Sequence, residues 1–169
     1  MATKGNKQLI EAGIKGLPKD ALVVIVKTEW NAAIVDELEA GCKKIFKSKK
    51  IDYKTIIVPG AVEIPFAINA YGKTGKEVAA YIALGAVIKG DTPHFEYVCQ
   101  SVTQGITLLN TQLTVPVIFG VLTVNTEEQA HERLGGKHGH KGEEAALTAL
   151  KMIALNESIK EIGFRSLEV

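Results

Sequence analysis

Apolar positions along the chain fall into short continuous runs that alternate with amphipathic stretches. Ala21-Leu-Val-Val-Ile-Val26 is unbroken and largely β-branched, which suits a strand buried on both faces of a parallel sheet. Asn31 then opens a helix in which Ile34, Val35, Leu38, Cys42, Ile45 and Phe46 recur on one face. Lys43, Lys44 and Lys47 near its end complement the helix dipole. Lys54 to Val58 predicts a second strand, stopped by Pro59-Gly60, and a short helix follows over residues 64–72. Ala79 to Ala86 predicts a third strand. Thr92 as N-cap and Pro93 at the first helical position open a long helix to about Leu113. Val115 to Thr123 predicts the fourth strand. Thr126-Glu-Glu-Gln129 has the capping-box form, so another helix starts there and stops at Gly135-Gly136. A last helix covers about Gly142 to Asn156, and the remaining residues read as a surface tail or a short further helix.

Strands alternating with helices predict an α/β fold: a three-layer αβα sandwich, flavodoxin-like, with a central four-stranded, mainly parallel sheet. The expected division is an N-terminal arm over residues 1–20, the α/β domain over 21–156 and a tail over 157–169. Ligands of such sheets sit beyond the carboxyl ends of the strands. That rule directs attention to the segments after each strand.

Composition narrows the classes. The 169 residues are 46% apolar and 23% charged, which excludes disorder as the main state. The net charge of +1 argues against a general nucleic-acid binder, while leaving room for one basic pocket. Cys42 and Cys99 are in no metal-type spacing and read as two buried thiols in a reducing compartment. The first twenty residues lack the apolar core of a signal peptide, and no apolar run reaches the ~18 residues of a membrane helix. The expected location is the cytoplasm.

Several residues after the strands have types that packing alone does not demand. Trp30, the sole tryptophan, could stack on a flat heterocycle or be an ordinary core or interface aromatic. Pro59-Gly-Ala-Val-Glu63 is a tight turn where backbone can approach a ligand, and Glu63 could equally serve only the helix dipole. Lys89-Gly-Asp-Thr-Pro-His94 leads into a helix start, where free N–H groups form an anion site. His94 lies in the first turn, and the positive dipole end favours a neutral, base-competent ring. Only two of the basic residues are arginines, Arg133 and Arg165. Arg133 is either a phosphate-binding fork or a cation at the end of a short helix. His131, His138 and His140 lack the partners of a tetrahedral metal set, so no metal is expected and a flexible, basic, glycine-rich connector is the better reading. No Gly-x-Ser-x-Gly or Cys–His signal supports acyl transfer.

Taken in order, Trp30-Asn31, Val58-Pro-Gly-Ala-Val-Glu-Ile-Pro65, Leu84-Gly-Ala-Val-Ile-Lys-Gly-Asp-Thr-Pro-His-Phe-Glu-Tyr-Val98, Val115-Pro-Val-Ile-Phe-Gly-Val-Leu-Thr123, Thr126-Glu-Glu-Gln-Ala130 and Glu132-Arg133 resemble the lumazine synthase family over about residues 22–156. The resemblance implies a transferase of riboflavin biosynthesis. It joins 5-amino-6-(D-ribitylamino)uracil to 3,4-dihydroxy-2-butanone 4-phosphate, and releases phosphate and water without a cofactor. It implies Trp30 as the ring-stacking aromatic, and Ala61, Val62 and Glu63 on the ribityl chain. Ala86, Val87 and Ile88 would hold the pyrimidine, while Asp91, Thr92 and Arg133 would hold the phosphate. His94 would transfer protons, Phe119 would wall a neighbouring subunit's site, and Lys141 would lie near the phosphate. Trp30 stands where the common bacterial pattern has phenylalanine, which keeps the stacking.

The resemblance further implies a homopentamer, and Gly135-Gly-Lys-His-Gly139 fits the connector of members that close twelve pentamers into an icosahedral shell able to carry riboflavin synthase. The apolar face from Val102 to Leu113 would line the five-fold contact or pack on its own sheet. Neither nucleic acid nor membrane is an expected partner. A flavin- or nucleotide-binding module and a purely structural shell protein are the rival readings.

Overall fold

A computed structural model describes residues 14–165. Residues 1–13 of the expected arm and 166–169 of the expected tail lie outside the described residues. Strand β1 is Leu22–Thr28, helix α1 Ala32–Lys49 and strand β2 Asp52–Val58. A 3₁₀ turn over Ala61–Glu63 runs into helix α2, Ile64–Gly72. Strand β3 is Ala80–Ile88, helix α3 His94–Gln112 and strand β4 Val117–Val124. Helix α4, Glu127–His131, leads to a small hairpin of β5, Leu134–Gly136, and β6, Gly139–His140. Helix α5 closes the described chain over Lys141–Arg165.

The four long strands form one parallel sheet in the order β2-β1-β3-β4. Val26 pairs with Ile56 on one side and Ala83 on the other, and Ala83 in turn pairs with Phe119. Alternate residues of β1 divide between two cores, as the period-two geometry of a strand requires. Val23 and Ile25 face Ile34, Leu38, Phe46, Leu147 and Leu150 of α1 and α5. Val24 and Val26 face Ile64, Ile68, Val102 and Ile106 of α2 and α3. Each such fully buried side chain contributes about 1.5–3 kcal/mol. Helices on both faces of a parallel sheet make the three-layer αβα, flavodoxin-like fold. Val102, Ile106 and Leu109 therefore pack on their own sheet, while Leu108 of the same stretch is exposed.

Four local expectations change. Helix α4 ends at His131, short of Gly135-Gly136, and the Arg133 N–H turns back to the Ala130 carbonyl at 2.9 Å. Helix α5 continues past Asn156, whose side-chain amide donates to the Thr114 carbonyl at 3.1 Å and so anchors the helix instead of ending it. The glycine-rich connector is an ordered antiparallel hairpin, with Gly135 and Gly139 at φ 109° and 75°. Helix α3 begins at His94, one residue later than the capping signal suggests, although the Thr92 hydroxyl still accepts the His94 N–H at 3.4 Å. Of the two free thiols, Cys99 is only half-buried. Cys42 is buried and donates to the Gly142 carbonyl at 3.1 Å, and burial pushes its thiol up to about 12.

Candidate active site

Parallel strands bring their carboxyl ends to one edge of the sheet, and the post-strand segments meet there through backbone bonds. The Glu29 N–H donates to the Val58 carbonyl at 2.8 Å, and the Trp30 N–H to Pro59 at 3.1 Å. The first loop is thereby laid across the second. The Lys89 N–H donates to the Val124 carbonyl at 2.9 Å, which joins the third loop to the end of β4.

Asn31 ties the first loop to the third. It sits at the N-cap of α1 but makes no capping bond with its side chain. Its backbone is left-handed, at φ 58°, and its Nδ2 donates to the Ala86 carbonyl at 2.7 Å. A non-glycine residue in that region carries strain that asparagine tolerates better than most. The Thr28 hydroxyl donates to the Trp30 carbonyl at 3.0 Å, fixing the turn between them.

Trp30 is 66% exposed, so it is not a core aromatic. Its ring lies over Gly60, where an added Cβ would come within 2.6 Å of the ring. Gly60 is thus the flat floor beneath the aromatic face. Glu63 curls back so that its Oε2 accepts the Gly60 N–H at 3.0 Å, which rigidifies the 3₁₀ turn carrying Ala61 and Val62. Ala61 is buried, Val62 exposed and Glu63 half-buried. At the end of β3, Ala86 is buried while Val87 and Ile88 are half-buried. Asp91, Thr92 and His94 are exposed at the start of α3, a helix long enough to present a full dipole.

The remaining candidates lie elsewhere on the chain. Phe119 is 41% exposed in the middle of β4, the edge strand. It stands five residues before the strand's carboxyl end, about 16 Å at strand spacing. It lines an open groove of about 510 Å³ with Lys141, Glu144, Ala145, Thr148 and Met152. Lys141 Nζ is paired there with both Glu144 oxygens, at 2.9 and 2.7 Å. Arg133 follows α4, and its Nη1 donates to the Gln129 carbonyl at 2.6 Å, the behaviour of a helix-terminal cation. Its other N–H groups remain available to an anion. The hairpin brings Arg133 and Lys141 together, with the Lys141 N–H on the Arg133 carbonyl at 2.8 Å. The histidines of this region take separate partners. His131 faces Glu127 at 3.6 Å, His138 faces Glu132 at 3.5 Å, and His140 Nδ1 accepts the Glu143 N–H at 3.4 Å.

Asn31 and Thr28 are the working residues that sequence reasoning did not single out as such. Asn31 was legible as a helix start, but its bond to Ala86 spans 55 positions and leaves no local trace.

An aromatic face over a glycine floor, a carboxylate-braced turn and a helix start, all beyond the carboxyl ends of a parallel sheet, stand where α/β enzymes of this architecture bind their ligands. The sequence profile of the 6,7-dimethyl-8-ribityllumazine synthase family matches residues 20–157. Similar proteins carry that name in Porphyromonas gingivalis, at 51% identity over 140 residues, or 81% of this chain and 86% of the relative. The Bacteroides fragilis relative is 48% identical over 132 residues, 76% of this chain and 92% of its own. That of Christiangramia forsetii is 41% identical over 165 residues, 95% and 98%. The chain belongs to the 6,7-dimethyl-8-ribityllumazine synthase family, transferases of riboflavin biosynthesis.

Proposed function

We propose that the chain condenses 5-amino-6-(D-ribitylamino)uracil with 3,4-dihydroxy-2-butanone 4-phosphate to 6,7-dimethyl-8-ribityllumazine, with release of phosphate and water. The observation that carries this reading is the meeting of Trp30, Gly60–Glu63, Ala86–Ile88 and Asp91–His94 at one end of the sheet. Trp30 stacks on the pyrimidine. Ala61, Val62 and Glu63 hold the ribityl chain, and Ala86, Val87 and Ile88 offer backbone groups to the ring. The phosphate rests on Asp91, Thr92 and the start of α3, with Arg133 and Lys141 as its cations.

The chemistry needs positioned reactants and mobile protons. The arylamine attacks the ketone and loses water to give an imine. Removal of a proton beside the imine carbon expels phosphate, and attack of the ribitylamino nitrogen on the remaining carbonyl closes the ring with loss of a second water to complete the lumazine. His94 exchanges these protons, and its exposed place at the helix start leaves it open to substrate. Holding two reactants in register supplies much of the acceleration, and the cationic cradle stabilises the departing phosphate.

One chain does not close this site. Among the described residues β4 is an edge strand, Phe119 and Lys141 line the groove along it, and Trp30 in the loop cluster is exposed. This supports sites shared between copies, with Phe119 of one subunit walling the cluster of the next. The assembly we propose is a homopentamer, with twelve pentamers closing an icosahedral shell. The Gly135–Gly139 turn is compact enough for such a shell, and its interior is where riboflavin synthase would be carried. Residues 21–156 form the catalytic domain in this scheme, with 1–20 and 157–169 as its arm and tail. Among the described residues no helix is long and apolar enough to cross a membrane, and the proposed location is the cytoplasm.

The test is a mixing assay with both substrates against a protein-free blank, because the condensation also proceeds uncatalysed. Lumazine formation above the blank, lost when the phosphate substrate is omitted, is expected. A folded oligomer that adds nothing to the blank would refute the activity. Electron microscopy showing only isolated pentamers at neutral pH would refute the shell.

A further inference from the structure

A cluster of charge lies beneath the Trp30 loop, on the face of the sheet covered by α1, and the reaction above gives it no task. Glu39 of α1 is buried, its side chain 7% exposed. Its Oε1 accepts the Thr55 hydroxyl of β2 at 2.6 Å and takes the Lys43 ammonium at 2.9 Å. Its Oε2 takes the Lys27 ammonium of β1 at 2.7 Å. Lys27 is itself only 13% exposed and also reaches Asp36 Oδ1 at 2.7 Å. One carboxylate thus ties β1, β2 and α1 to each other.

Each of these elements runs into the candidate site. Lys27 is followed by Thr28, which holds the Trp30 carbonyl, and by Glu29, which bonds the Val58 carbonyl. Thr55 lies three residues before that same Val58, on the strand that ends at the Gly60 floor. Helix α1 begins directly after Trp30 and Asn31. A buried ion cluster is a poor way to gain stability, since apolar residues of the same shape often do as well or better. What it supplies is direction, because charge-assisted hydrogen bonds hold their partners at short, defined distances. The backbone ladder sets the spacing of β1 and β2; the cluster adds the seating of α1, which begins directly after Trp30 and Asn31, against both strands.

We propose that Glu39 is a positioning residue for the aminopyrimidine half of the site, acting through Lys27 and Thr55 on the seating of Trp30 over Gly60. The proposal rests on the reading of Trp30 as the stacking face. Its effect is selective, because the phosphate half is carried by Asp91, Thr92, the start of α3, Arg133 and Lys141, none of which bonds to Lys27, Asp36, Glu39, Lys43 or Thr55.

The sole tryptophan makes the test direct, since its fluorescence reports its own seating. Glu39→Gln keeps the shape and removes the charge. The expected result is a shifted tryptophan emission with an unchanged far-UV circular dichroism spectrum. The KM for ribitylaminouracil should rise about tenfold, and the KM for the phosphate substrate should stay where it was. Thr55→Val removes only the Oε1 hydrogen bond and is expected to move both readouts the same way by less, while Thr55→Ser restores them. Wild-type emission and wild-type pyrimidine KM in Glu39→Gln would overturn the proposal, as would an equal rise in both KM values. Should Glu39→Gln not fold, the Thr55 pair decides by the same criteria. Should wild-type protein not turn over the two substrates, the reading of the site falls. The emission of the variants then decides the clamp alone.

Discussion

Replacing Gly60 by alanine tests whether the Trp30 ring and its floor work as one surface. Gly60 has an extended backbone, φ −139° and ψ −179°, which any residue can adopt, so the substitution brings no backbone strain. The cost is contact. The new methyl would stand 2.6 Å from two carbons of the Trp30 ring and 3.0 Å from Glu63 Oε2. Ordinary carbon–carbon contact begins near 3.5 Å, so the ring must retreat by about 1 Å. It is exposed and free to do so, which means that the fold survives and the stacking plane moves. A displacement of that size at a reacting pair can lower kcat/KM by about 10- to 100-fold. Steady-state kinetics with saturating phosphate substrate, beside far-UV circular dichroism, would measure it. A second variant makes the reasoning sharper. In a Trp30→Ala background there is no ring to displace, so Gly60→Ala should add little further loss. Full additivity of the two substitutions, or unchanged kinetics in Gly60→Ala alone, would refute the shared-surface argument.

Arg133→Ala should raise the KM for the phosphate substrate by about 10-fold or more and leave the pyrimidine KM unchanged, whereas His94→Ala should lower kcat by about 10²-fold; steady-state kinetics with each substrate varied separates the two. Burial would lift the Glu39 carboxyl, but Lys27, Thr55 and Lys43 overcome it and hold the group near 2 instead of 4.5. A depressed carboxyl stabilises the fold above its unfolded pKa, so roughly 3 kcal/mol should be lost as pH falls from about 4.5 to 2. Urea unfolding across that range at fixed protein concentration should show the loss in wild type and a flatter profile in Glu39→Gln. Gly142→Ala would drive a methyl into the Leu38 backbone carbonyl, which cannot yield, and should cost about 3 kcal/mol. Gly90→Ala, at a position open to solvent, is the control and should leave the urea midpoint where it is.

The sheet was legible because β1 is a continuous β-branched run that suits a two-faced core and the other strands are short apolar runs bounded by Pro, Gly or Thr. The loops were legible because their residues are wrong for packing: a tryptophan after a strand, a glycine before a carboxylate, a histidine at a helix start. What escaped was contact between distant positions. Asn31 looks like a helix cap by its local sequence, yet its amide is spent on a carbonyl of β3. Asn156 looks like a stop, yet it anchors to Thr114 and lets α5 run on. Residues 134–140 look like a flexible connector because strands so short carry no alternation, and only the backbone pairing reveals a hairpin. Lys27 and Glu39 read as ordinary members of a strand and a helix, since their pairing appears only when β1 and α1 are laid together.

The distance between the loop cluster and the Phe119 groove has a consequence for genetics. If each site is shared across a head-to-tail contact, every chain is donor to one neighbour and acceptor from the other. An open row of such chains always ends in one unfinished site, and only a closed ring finishes them all. Two defective alleles, one altered in the loops and one in the groove, would then restore some activity when expressed together, because mixed contacts pair an intact half with an intact half. Recessive lesions on the same half would not.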